Sequence, residues 1–295
     1  MIYDCFTFFN ELDLLEIRLN ILAEHVDRFV LVEANRTHTG ITKPFFFEAN
    51  RARFAAFLDK IVHIKVDDLP DLESGQEGKF GHRWILENYQ RDAILRGLEN
   101  CHEDDIVLIS DVDEIPNPEA IAKYRKGICS LEQKFMYYFL NNRSLKEPIW
   151  NKARICTYAD LCHPGQALRR HDPYAFSAPG RPTYLRFCKA KPIRDGGWHF
   201  SYCGGVESIL QKRRSIVEQR FNTEDNMRPE KVLEAIQHGQ DILGRPGFHF
   251  RSELIDASFP RYILENQERY AHLISPPSLP QGWFRRLLAH FGPTA

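Results

Sequence analysis

The chain has 295 residues, 43% of them apolar and 12% aromatic, which is enough to bury a large core and too apolar for a disordered chain. Its 39 basic and 40 acidic residues leave a formal charge of −1, without the basic surplus that marks a nucleic-acid binder. No stretch reaches the roughly 18 consecutive apolar residues of a membrane span, and Asp4 stands where a signal peptide carries a base, so a cytoplasmic chain is expected. The seven cysteines are odd in number, irregularly spaced and free of C-x-x-C pairs, as expected of reduced thiols.

In chain order, residues 2–9 are rich in aromatics and read as a strand. Asn10 is a candidate cap for a helix in which Leu12, Leu15, Leu19, Leu22 and Val26 form one apolar stripe. Residues 28–33 form a short apolar run typical of a strand buried on both faces, and residues 61–66 read as another strand. A polar loop with Pro70 follows, then a helix over 82–98. Four apolar residues, Ile106 to Ile109, predict a buried strand that ends in acids, with Pro116 closing the segment. This β-α-β-α-β rhythm predicts an α/β fold, an open and mostly parallel sheet flanked by helices, with ligands at the carboxyl ends of the strands. Further on, 134–140 and 183–190 read as strands, and 206–220 and 228–242 as helices. Pro276, Pro277 and Pro280 form a linker-like stretch before a basic amphipathic tail, Trp283 to Phe291.

Two segments carry residues suited to chemistry. In Asp111-Val112-Asp113, alternation along an extended chain would aim both carboxylates at one point, and paired oxygen ligands suit Mg²⁺ or Mn²⁺, which also grip substrate phosphates. Such an ion would neutralise charge on a departing diphosphate. In Asp195-Gly196-Gly197-Trp198-His199-Phe200-Ser201, two glycines permit close backbone approach, and a neutral imidazole at 199 is a candidate third ligand.

The runs D-V-D-E-I-P and G-W-H-F-S, with Glu207-Ser208-Ile209 soon after, resemble glycosyltransferase family 17. That family contains the β-1,4-mannosyl-glycoprotein 4-β-N-acetylglucosaminyltransferases. Phe29 to Asn35, Thr37, Gly40, Lys43-Pro44, Arg143-Ser144-Leu145 and Trp150 fit the same pattern, so the similarity spans roughly residues 2–245. D-x-D alone is unspecific; the two motifs in this order are more telling.

The resemblance implies a GT-A-type fold, a UDP-N-acetylglucosamine donor, a divalent cation (Mn²⁺ or Mg²⁺) and inversion at the anomeric carbon. It makes Asp111 and Asp113 the metal and diphosphate residues and His199 the distal metal ligand. Glu33, at the end of the second strand, is expected to face the donor nucleotide, and Trp198 to lie on the donor. Arg91 could reach the diphosphate or simply pair with Glu87 one turn earlier. Lys212 is expected to be solvated rather than bound to the diphosphate. For the general base, Glu207 is the first choice, Asp195 the second and Glu114 the third.

The expected organisation is one catalytic domain over 1–275, with a donor half to about residue 130 and an acceptor half after it, and a linker and tail over 276–295. Unlike the animal members, the sequence shows no membrane anchor or stem, so a bacterial or cytoplasmic relative acting on a saccharide or glycolipid acceptor is expected. The tail is expected to be a plain helix packed on the body, with contact to an anionic membrane surface as the alternative. Two rival readings stand beside this one: a metal-dependent phosphatase using D-x-D, and a non-catalytic saccharide-binding protein on the same scaffold.

Overall fold

A computed structural model describes residues 1–71, 81–162 and 180–276. The amphipathic tail and most of the polar loop after Pro70 lie outside the described residues. The first half runs β1 (Ile2–Phe8), α1 (Leu12–Leu22), β2 (Arg28–Ala34), α2 (Phe46–Ala49), β3 (Ile61–Val66), α3 (Gly81–Asp92) and β4 (Ile106–Asp111), with short 3₁₀ turns over Arg51–Phe57 and Ala93–Gly97. The strands pair in parallel in the order β4-β1-β2-β3, with Thr7 opposite Asp111 and Phe8 opposite Glu33. The carboxyl ends of β1, β2 and β4 are therefore aligned at one edge.

Alternation along these strands builds two cores. Cys5, Val30, Val32, Val107 and Ile109 pack on one face with Leu86 of α3 and Ile94. Phe6, Phe8, Phe29, Leu31 and Leu108 pack on the other with Leu15, Leu19 and Leu22 of α1. The predicted stripe of α1 is thus buried as expected, although Glu11 and not Asn10 precedes the helix, and no side chain caps it. Asn10 instead donates from its side-chain amide to Gln211 at 2.9 Å.

After a two-residue turn come β5 (Glu114–Pro116), α4 (Pro118–Lys123), β6 (Cys129–Tyr137), β7 (Asn142–Ser144), β8 (Ile149–Trp150), β9 (Arg154–Thr157), α5 (Tyr158–Cys162), α6 (Pro182–Phe187), β10 (Lys191–Ser201), α7 (Gly205–Ser215), α8 (Pro229–Gln237), β11 (Phe250–Ser252) and α9 (Arg261–Glu265). The described strands all join one eleven-stranded sheet. It is mixed rather than mostly parallel. β9 enters antiparallel between β4 and β6, and β7, β8 and β11 add antiparallel partners; β6 to β9 follow one another through short connections rather than helical crossovers, while β11 returns from far along the chain to pair with β7.

Residues 183–190 are not a strand. Pro182 takes the first turn of α6, where its fixed φ and missing N–H cost nothing, and Thr183 donates its backbone N–H to Asp92 at 3.0 Å. A short apolar run fits a buried helical turn as well as it fits a strand. The helices predicted over 206–220 and 228–242 are shorter, ending at Ser215 and Gln237. Among the described residues no helix is long and apolar enough to cross a membrane.

Candidate active site

A cleft of about 310 Å³ opens at the carboxyl ends of β1 and β4, where the acids were expected. Asp111 closes β4, Val112 and Asp113 form the turn, and Glu114 starts β5. The chain reverses here instead of staying extended, so the two aspartates line one cleft without converging on one point.

Asp111 belongs to a cationic wall. Its Oδ1 accepts from Arg91 at 2.9 Å and from the Thr7 hydroxyl at 3.0 Å, and its Oδ2 accepts from Arg186 at 2.6 Å. Arg91 also donates to Glu87 at 2.9 Å, so it both makes the i,i+4 pair and reaches the site. Arg186 forks onto Glu114 at 2.7 and 2.8 Å, and Glu114 also accepts the indole N–H of Trp150 and the backbone N–H of Asp111. Burial opposes ionisation of Asp111, but Arg186 and Arg91 outweigh it and hold the carboxyl well below the usual range.

Asp113 faces the other wall. Its Oδ2 accepts from Lys212 at 2.8 Å, and its Oδ1 lies 3.6 Å from His199 Nε2. Here too burial opposes the charge, and Lys212 and then His199 overcome it, so this carboxyl is also held down. Lys212 is not solvated: its ammonium bridges Asp113 and, at 3.0 Å, Glu11, and this pairing keeps it charged despite burial. His199 stacks on Phe135 with rings 5.1 Å apart and lies 4.4 Å from the Trp150 ring, while its Nδ1 has no hydrogen-bond partner among the described residues.

The two sequence motifs meet because β5 and β10 pair antiparallel, with His199 opposite Glu114 and Trp198 opposite Ile115. Gly197 makes this approach possible: at φ +133°, a Cβ there would stand 2.1 Å from the Ile115 carbonyl oxygen. Beneath the turn, Arg18 of α1 is fully buried and donates to the carbonyls of Asp111, Val112 and Glu114 at 2.9, 3.2 and 3.0 Å. The D-V-D-E backbone is thus tied from below by one guanidinium.

Four expected site residues lie elsewhere. Trp198 points to the opposite face of β10, into an apolar cluster with Ile115 and Phe259, and its indole donates to the Ser258 carbonyl at 3.2 Å. Glu33 shares the face of Phe29 and Leu31 and is buried, accepting the N–H groups of Phe46 and Phe47 and an ion pair from Lys43. Glu207 is exposed on the first turn of α7, and Asp195 is exposed at an irregularity of β10 with φ 54°. None of the four lines the cleft.

The residues that sequence reasoning missed are Glu11, Arg18, Trp150 as a site group, and Arg186. Arg18 had a signal: a lone cation between buried Ile17 and Leu19 needs a buried partner. Arg186 was hidden by its assignment to a strand.

Among the described residues no three His, Cys, Asp or Glu side chains converge as a ready-made metal cage. Asp113 and His199 nonetheless fit part of one, because two donors of a single ion at about 2.0–2.2 Å each stand roughly this far apart. The charges lining the cleft are balanced: Glu11, Glu87, Asp111, Asp113 and Glu218 stand with Arg36, Lys43, Arg91, Arg186 and Lys212.

Residues 1–144 match the family model of glycosyltransferase family 17. The chain is also 25% identical over 91% of its length to the beta-1,4-mannosyl-glycoprotein 4-beta-N-acetylglucosaminyltransferase of Homo sapiens, and 24% identical to those of Rattus norvegicus and Mus musculus. It spans about half the length of these curated relatives, 54% of the human one. The D-V-D-E-I-P motif lies within the residues matched to the family model, and the chain is similar to glycosyltransferase family 17.

Proposed function

We propose that this chain, whose residues 1–144 match the family model of glycosyltransferase family 17, is an inverting, metal-dependent transferase of the GT-A type. It moves N-acetylglucosamine or a related sugar from a UDP-sugar to a saccharide or glycolipid acceptor. The observation that carries this reading is the cleft itself: Asp113 and His199 face each other 3.6 Å apart beside a wall of two arginines. The relatives' names supply the sugar.

Asp113 and His199 would hold the divalent cation, which supplies Lewis-acid stabilisation of the leaving diphosphate. Asp111 contributes through its partners, because it fixes the Arg91 and Arg186 guanidiniums side by side at the cleft wall. Fixed cations in a partly buried cleft stabilise developing phosphate charge without reorganising during the reaction. Thr7 and the Arg18-anchored backbone hold Asp111 in register with β1. The cysteines, none of them in a disulfide, suit a reducing compartment, and we place the chain in the cytoplasm.

The test is UDP release from UDP-N-acetylglucosamine with Mn²⁺, alone and with saccharide acceptors. Mn²⁺-dependent release that Asp113→Ala abolishes supports the reading. Hydrolysis of simple phosphate esters, or saccharide binding without turnover of any UDP-sugar, sinks it.

A further inference from the structure

Inverting transfer requires a group that accepts the proton of the attacking hydroxyl. Five carboxylates line the cleft: Glu11, Glu87, Asp111, Asp113 and Glu218. Asp111 is spent on Arg91 and Arg186, and Glu87 stands behind Arg91. Asp113 serves the cation position and Lys212. Glu218 pairs with Arg220, whose side chain is 74% exposed.

Glu11 differs in its access. A second cavity, of about 230 Å³, shares Glu11 and Lys212 with the cleft but includes none of Asp111, Arg91 or Arg186. Asn10, Asp13, Arg53 and Ser208 give it the mixed donors and acceptors that sugar hydroxyls require. The carboxylate at this junction is held in place. Its Oε2 accepts the backbone N–H groups of Phe9 and Asn10 at 3.3 and 3.1 Å, and its Oε1 lies 3.0 Å from Lys212 Nζ. That same ammonium is 2.8 Å from Asp113, so Glu11 stands one side chain away from the cation position.

The geometry points to Glu11 as the general base, an assignment that rests on the transfer reading above. The acceptor oxygen bonds to the anomeric carbon while its proton passes to Glu11. The bond from that carbon to the diphosphate oxygen breaks, and its electron pair leaves on UDP. Glu11 then returns the proton to water.

Azide separates this role from a structural one, because it attacks carbon with no proton to lose. In Glu11→Ala, UDP release from UDP-N-acetylglucosamine to water should fall about 10²–10⁴-fold, the usual worth of a general base. UDP affinity by calorimetry should be unchanged, and sodium azide should restore UDP release with formation of the glycosyl azide. Glu11→Gln, which keeps the side-chain volume, should behave alike and serves if the alanine variant does not fold. Undiminished release to water in either variant overturns the assignment. So does loss of the azide reaction or of UDP affinity, which would make Glu11 a structural or donor-binding residue. A wild-type protein that releases UDP from no UDP-sugar fails at the earlier step and removes the transfer reading itself.

Discussion

Arg18 and Asp4 form an ion pair with no solvent exposure on either side chain, joined by hydrogen bonds of 2.6 and 2.8 Å, and the same guanidinium ties down the carbonyls of the turn that carries Asp111 and Asp113. A buried pair of this kind is expensive to break, because removing one partner strands the other charge in the core. Arg18→Met should lower stability by about 3–5 kcal/mol, read as a shift in the urea midpoint. Arg18→Lys should keep the charge while losing the fork of carbonyl bonds, so it should fall between wild type and Met.

Arg186 bridges Glu114 and Asp111 with one planar group, a task a point charge cannot repeat. Arg186→Lys should reduce UDP affinity about tenfold, which corresponds to about 1.4 kcal/mol, and should also lower the melting temperature. Unchanged affinity by calorimetry would remove Arg186 from the diphosphate wall.

The two motif aspartates also set an acid limit. Both have folded-state pKa values below the ordinary 3.8, so they stabilise the fold fully above that value and lose this contribution as pH falls through the folded values. Thermal melts between neutral pH and about pH 4 should show little dependence from these groups, with a steep loss below. In Asp111→Asn the acid slope should be shallower. An identical slope in that variant would mean other carboxylates dominate.

Gly197 allows β10 to lie against β5, and any Cβ there would strike the Ile115 carbonyl. Gly197→Ala should cost about 1–3 kcal/mol from backbone strain alone, with further loss from the displaced strand, measurable by denaturant titration. Gly127→Ala is the control: its φ is +74°, but a Cβ there meets nothing within 4 Å, so only the strain remains.

The parallel half of the fold was legible because its strands are apolar runs separated by a clean helical stripe, and both faces of the sheet had to be covered. The later strands escaped that reading because they are short and their partners are far away in sequence, as with β11 and β7. At the site, the position of the acids followed from the strand that precedes them. What did not follow was their company. Arg186 comes from a helix whose residues read equally well as a strand, and Lys212 reaches Asp113 only because α7 lies across the cleft. The pairing of Trp198 with the site failed for a simpler reason, since neighbours on a strand face opposite sides.

The ladder between β5 and β10 makes one kind of sequence change harmless and another fatal. Length changes in loops between β5 and β10 leave the parity of β10 untouched, since the facing of the imidazole is set by the pairing of His199 with Glu114. A single insertion between Gly197 and Trp198 changes the parity of the strand. It would turn the indole toward Asp113 and bury the imidazole against Phe259, leaving every residue of the motif present and the cation site without its nitrogen.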